Sequence, residues 1–150
     1  MDKASRILAL DYGRSRIGVA VSDELGLTAQ PVATIAFKPK DAAFSEIGRL
    51  VGSLGIRLVI IGLPLTLKGE RGLSAMEAER FAERLRRIIN VPINLWDERL
   101  TTALARRLLH EADIEIRKDK GKVDRSAATL LLQSYLDCQN RGFQPIEDRL

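Results

Sequence analysis

The chain of 150 residues has one cysteine, Cys138, and one histidine, His110. A lone cysteine excludes an intrachain disulfide and supplies no zinc-ligand spacing. His110 has no partner nearby in sequence, so a place near the C-terminal end of its helix suits it better than catalysis. No apolar run is long enough to span a membrane. The polar opening, 1–6, leads straight into a strand without a secretory pattern, so the cytoplasm is the expected location. Internal repeats, low-complexity tracts and linker-like stretches are absent, and residues 1–150 are expected to form one domain. What remains is 45% hydrophobic and 29% charged, the proportions of a globular protein. The net charge of +4 is a mild basic excess, compatible with nucleic acid and carried in good part by arginine, whose fork matches phosphate.

The most informative stretch runs from Ile7 to Asp23. Ile7 to Leu10 is apolar and ends at Asp11; Tyr12-Gly13 signals a turn; Ile17 to Val21 is apolar again and ends at Ser22-Asp23. This predicts a hairpin with a buried first strand and a carboxylate at its tip. Gly13 is expected to supply a positive φ in the turn, and Gly18 a close backbone approach or a bulge. Arg14 and Arg16 flank the carboxylate, which suits a phosphodiester held near a metal. The plain alternative is an ordinary hairpin with a solvated Asp at its turn.

A third strand is expected within Leu27 to Phe37. Asp41 is a candidate cap for a helix over Ala42 to Gly52, with Phe44, Ile47, Leu50 and Val51 as its stripe. Leu58 to Gly62 reads as a strand covered on both faces. Leu63 to Gly72 is a loop, either a substrate-groove lining with Lys68 and Arg71 on phosphates or a plain long strand-to-helix connection; it lacks the ending of a Walker loop. Ser74 and Glu77 suggest a capping box for a helix from Ala75 to Ile89, with Met76, Phe81, Leu85 and Ile88 facing the core. Val91 to Trp96 is a shorter strand ending at Asp97-Glu98-Arg99, and Trp96 suits the core better than a base-stacking platform. Thr101 or Thr102 caps a helix carrying Leu104, Leu108 and Leu109. Ala112 to Lys122 reads as a mobile basic loop, Asp124 to Asn140 as a last helix ended by Gly142, and Phe143 to Leu150 as an irregular tail.

Three strands in series followed by two strands reached through helices give an α/β fold with a five-stranded mixed sheet flanked by helices. Ligands in such sheets bind outside the carboxyl ends of the parallel strands. That edge collects Asp11, Asp97 and Glu98. Asp124 shares a helical stripe with Ala128, Leu131 and Tyr135, which turns it toward the same edge. Carboxylates converging without histidine or cysteine suit a hard cation, Mg²⁺ or Mn²⁺, and phosphodiester hydrolysis.

Asp11-Tyr12-Gly13-x-x-Arg16-Ile17-Gly18-Val19-Ala20-x-Ser22-Asp23 resembles the opening motif of the YqgF family, also called RuvX. Gly62-Leu63-Pro64 with Gly69, Asp97-Glu98-Arg99-Leu100-Thr101-Thr102, and Lys120-Gly121-Lys122-Val123-Asp124-x-x-Ala127-Ala128 resemble its later motifs, in order. The resemblance implies an RNase H-like fold. It implies Holliday junction resolution by similarity to RuvC, or maturation of the 5′ end of pre-16S rRNA. It implies Asp11, Glu98 and Asp124 as catalytic metal ligands. RuvC-like enzymes carry a further acidic residue near the last of these, where this chain has Ala127; Asp97 either supplies the missing oxygen or orients the others. Substrate phosphates are expected at Arg14, Arg16, Lys68, Arg71, Arg99, Lys120 and Lys122. The implied partners are structured precursor rRNA or branched DNA, and ribosomal particles, with the protein a monomer or weak homodimer away from membranes. Two rivals remain. An actin-like ATPase or sugar kinase shares the Asp-x-Gly turn but needs two such domains. A non-catalytic RNA-binding assembly module would keep the fold without cleavage.

Overall fold

The computed structural model describes residues 4–66, 68–100 and 120–140, with side chains from 127 onward in the last segment. In chain order its elements are β1 (Arg6–Tyr12), β2 (Arg16–Ser22), β3 (Ala29–Ala36), α1 (Lys40–Ser53), β4 (Ile56–Leu63), α2 (Leu73–Arg86), β5 (Ile93–Asp97) and α3 (Lys120–Asn140). The five strands form one mixed sheet in the order β3-β2-β1-β4-β5. Short turns make β1–β2 and β2–β3 antiparallel, and the helical crossovers make β1–β4 and β4–β5 parallel, as expected.

Alternation along the strands builds two cores. On one face Leu8, Leu10, Val59 and Ile61 pack with Phe44, Ile47, Phe81 and Leu85 of α1 and α2. On the other, Ile7, Ala9, Leu58, Ile60 and Trp96 pack with Ala128, Leu131, Leu132, Tyr135 and Leu136 of α3. The continuous apolar run of β4 exists because both its faces are covered.

The register of α3 is fixed at the β2–β3 turn. The Gln133 side chain accepts the Ala29 N–H at 3.0 Å and donates to the Leu27 carbonyl at 3.0 Å, and Asn140 donates to the Gly26 carbonyl at 3.1 Å. At the same end of the sheet Ser22 Oγ accepts the Ile7 N–H at 2.9 Å. The C-terminal half of α3 therefore lies by the β2–β3 turn, at the end of the sheet where β1 starts.

Several local expectations are corrected. Asp41 does not cap α1; the helix starts at Lys40 behind Pro39, and Asp41 sits in the first turn, bonded to Arg84 at 2.9 Å. Ser74 and Glu77 form no capping box; α2 starts at Leu73 behind Gly72, and Glu77 pairs with Arg14 instead. Long-range ion pairs have claimed the carboxylates that local patterns assigned to caps. Met76 is 40% exposed, because α2 turns its alanines, Ala75, Ala78 and Ala82, toward the sheet together with Phe81 and Leu85; Ile88, 46% exposed, lies in the turn beyond the end of α2 at Arg86. Gly13 takes no positive φ; it matters through close approach, since a Cβ there would lie 2.7 Å from the Arg16 carbonyl oxygen. Gly18 pairs regularly with Asp11, and the irregularity falls between Val19 and Ala20. Lys120 and Lys122, expected in a loop, belong to α3, so Asp124 lies inside the helix rather than opening it. The helix expected after Thr101 or Thr102, His110, the loop from Ala112 to 119 and the tail from Phe143 lie outside the described residues.

Candidate functional site

At the carboxyl edge Leu10 pairs with Ile61, so the next residues, Asp11 and Gly62, stand side by side. Gly62 pairs with Trp96, and Leu63 with Asp97. Alternation puts the half-buried Asp11 on the face of Ile7 and Ala9, the one α3 covers. Glu98 leaves β5 with its N–H bonded to the Leu63 carbonyl at 3.1 Å. Its side chain then folds back over Gly62, where an added Cβ would lie 3.0 Å from Glu98 Cγ and Cδ and nearer still to Oε1. Only a residue without a side chain leaves that room. Burial, then the Asp11 charge, then that of Asp97 push the Glu98 pKa up to about 7. Three carboxylates at one strand edge thus share a field that disfavours a full set of negative charges.

Asp97 is only 5% exposed, and Arg99 engages both its oxygens. The Arg99 backbone N–H and Nε donate to Oδ1 at 2.9 and 3.1 Å; Nε and Nη2 donate to Oδ2 at 3.0 and 2.6 Å. The same guanidinium reaches the loop after β4. There Gly69, at φ +82°, leaves space that a Cβ would take 2.9 Å from Arg99 Nη1. Arg99 thereby ties the tip of β5 to that loop and holds Asp97 rigid beside Glu98.

The remaining expected residues are spread more widely. Arg14 pairs with Glu77 at 3.2 Å and Arg71 with Glu79 at 2.6 Å. Arg16 is exposed at the start of β2, and Lys68 is exposed in the β4–α2 loop. Lys120, Lys122 and Asp124 lie in the first turns of α3, and Asp124 is one turn ahead of the buried Ala128. Trp96 is a core residue, 3% exposed and edge-on to Tyr135 at 5.2 Å, with its Nε1 unpartnered among the described residues.

Among the described residues no three carboxylate, histidine or cysteine groups form a metal-holding cluster. Asp11 and Glu98 nonetheless fit two ligands of a hard cation, since both are oxygen donors and each charge opposes the other until a cation offsets it. Sequence reasoning did not single out the Gly62 cradle or the Arg99 clamp on Asp97. The first was visible as a β-branched run ending in glycine at the level of Asp11, once the parallel register is drawn. The second was visible as an arginine two residues beyond a strand-end aspartate.

The chain matches the model of a family described as "RuvX: Holliday junction resolvase" over residues 5–138. It is 42% identical over 137 residues to a "Putative pre-16S rRNA nuclease" of Chloroflexus aggregans, covering 91% of this chain and 96% of that one. It is 46% identical over 132 residues to a protein of the same name from Syntrophus aciditrophicus, covering 88% of each. Among solved structures it resembles T. thermophilus RuvC in complex with a Holliday junction substrate, with a TM-score of 0.59, 14% identity, and coverage of 91% of this chain and 96% of that one. That likeness shows the fold, the RNase H-like mixed sheet that the motifs implied.

Proposed function

The chain belongs to the RuvX family, and on that premise we propose that it is a Mg²⁺- or Mn²⁺-dependent endonuclease that processes the 5′ end of pre-16S rRNA in the cytoplasm. The observation that carries this reading is the crowding of Glu98 by Asp11 and Asp97, with a Glu98 pKa near 7. Such crowding is costly alone and favourable around a divalent cation. In this reading Asp11, Glu98 and Asp124 hold the metal. When bound, it supplies an activated water and stabilises the leaving oxygen. Asp97, gripped by Arg99, keeps Glu98 aimed at the edge. Exposed Arg16 and Lys68, with Lys120 and Lys122 on α3, meet backbone phosphates; Arg14, Arg71 and Arg99 do so beside their carboxylate partners. The substrate is structured precursor rRNA, on or released from a ribosomal particle, met by a monomer or weak homodimer.

The test compares precursor rRNA with a four-way DNA junction, each with Mg²⁺, Mn²⁺ or a chelator. Metal-dependent release of the 5′ leader supports the reading. Cutting confined to the junction would assign branched DNA instead, and binding without cleavage of either would leave an RNA-binding assembly module.

A further inference from the structure

On the opposite face of the sheet tip from Asp11 lies a cavity of about 410 Å³, within the size range of small-ligand sites. Its floor is aromatic. Tyr12 stacks on Phe81 at 4.8 Å between ring centroids, and Phe37 meets both rings edge-on. The phenylalanines are buried, and Tyr12 keeps part of its surface open. The rim is cationic. Arg84 lies over the Phe44 ring at 4.6 Å and Lys40 over Phe37 at 5.8 Å. Arg84 has a carboxylate partner in Asp41, and Arg14 in Glu77. Lys38 and Arg80, both exposed, have no carboxylate partner among the described residues.

We propose that this cavity holds an unpaired nucleotide of the strand cut at the Asp11 edge, its base against Tyr12 and its phosphates on Lys38 and Arg80. Aromatic floors with cationic rims are how proteins hold single strands, since every base has a π-face and every linkage a charge. A duplex would need only the charges and could not lay a base against Tyr12. Glu77, paired with Arg14, lines the same cavity and adds an acceptor that suits a base N–H. Position completes the case. Asp11 and Tyr12 are neighbours on β1 whose side chains leave opposite faces, so a strand crossing the tip of β1 meets the carboxylates and then the cavity. The inference rests on the nuclease reading for what is cut, and on the cavity alone for what is bound.

The experiment measures binding of a short fluorescein-labelled oligouridylate in chelator, where cleavage cannot contribute. The double variant Lys38→Ala/Arg80→Ala should bind at least about tenfold more weakly. Its plot of log affinity against log salt should flatten by about 1.4, as two single-strand phosphate contacts require. Tyr12→Leu should weaken binding roughly tenfold with the slope unchanged, because stacking releases no counterion. Arg57→Ala, at the opposite edge of the sheet, should bind as the wild type does, and melting curves should show every variant folded. Wild-type affinity and slope in the double variant, or a loss no greater than that of Arg57→Ala, would overturn the proposal. If no RNA or junction is cut yet the double variant loses the oligonucleotide, the nuclease reading fails and the cavity stands. If cleavage is robust and the double variant binds normally, the reverse holds.

Discussion

Glu98 folds across the backbone of Gly62 on the neighbouring strand so closely that a methyl group at 62 would lie 3.0 Å from its Cγ and Cδ. Gly62→Ala should therefore swing the Glu98 carboxyl away while leaving the strand paired. Since a flexible side chain does the moving, melting should change little, whereas kcat should fall at least about tenfold, as misplacement of a catalytic group does. Single-turnover cleavage beside a thermal melt checks this, and full activity in the alanine variant would separate Glu98 from the chemistry.

Asp11→Asn should lower cleavage by orders of magnitude, because an amide would replace a charged group proposed to hold the metal. The fold should survive, since Asp11 is half-buried at a strand end and its removal relieves Glu98. Oligonucleotide binding in chelator should match the wild type. Near-normal cleavage would remove Asp11 from the site.

The raised Glu98 pKa makes metal-free stability depend on pH. A carboxyl that holds its proton more tightly folded than unfolded contributes its full stability below the ordinary value near 4.5, and loses it as pH rises through about 7. The loss is on the order of 3 kcal/mol at most. In chelator, the melting temperature should fall between pH 5 and 8, Glu98→Gln should flatten that fall, and Mg²⁺ or Mn²⁺ should offset it by binding only the folded state. Asp23, held below the usual range by the N–H groups of Thr28 and Leu27, acts in the opposite sense and at lower pH. A melting temperature rising with pH across that window would count against the crowded edge.

Arg99→Ala should strip the buried Asp97 of its guanidinium partner and cost roughly 2–4 kcal/mol in urea unfolding, somewhat below a fully buried pair because Arg99 is 38% exposed. Arg99→Lys should recover little, as an ammonium cannot span both oxygens. A midpoint shift below about 0.5 kcal/mol in both variants would show the pair to be superficial.

The sheet was legible in the sequence because burial writes itself into strands directly: β4 is apolar on both faces, and β1 is apolar until Asp11. From those two runs and the handed crossover, the meeting of Asp11 with Asp97 and Glu98 followed without coordinates. Helix starts were less legible, since Asp41 and Glu77 had partners in Arg84 and Arg14 that no local window contains. The outward turn of Met76 was hidden likewise, because small alanines, not large apolar residues, mark the buried side of α2. The aromatic cavity needed packing across β1, α1 and α2 before it existed at all.

The grip of α3 on the β2–β3 turn orders events in time. Gln133 and Asn140 hold backbone groups 104 to 114 residues earlier in the chain. During synthesis all five strands leave the ribosome first, and Ile7, Ala9, Leu58 and Ile60 stay wet on one face until α3 arrives. Such distant closure is slow and leaves a sticky surface for chaperones to shield. If Asp124 completes the metal site as proposed, competence to cleave arrives only once α3 docks.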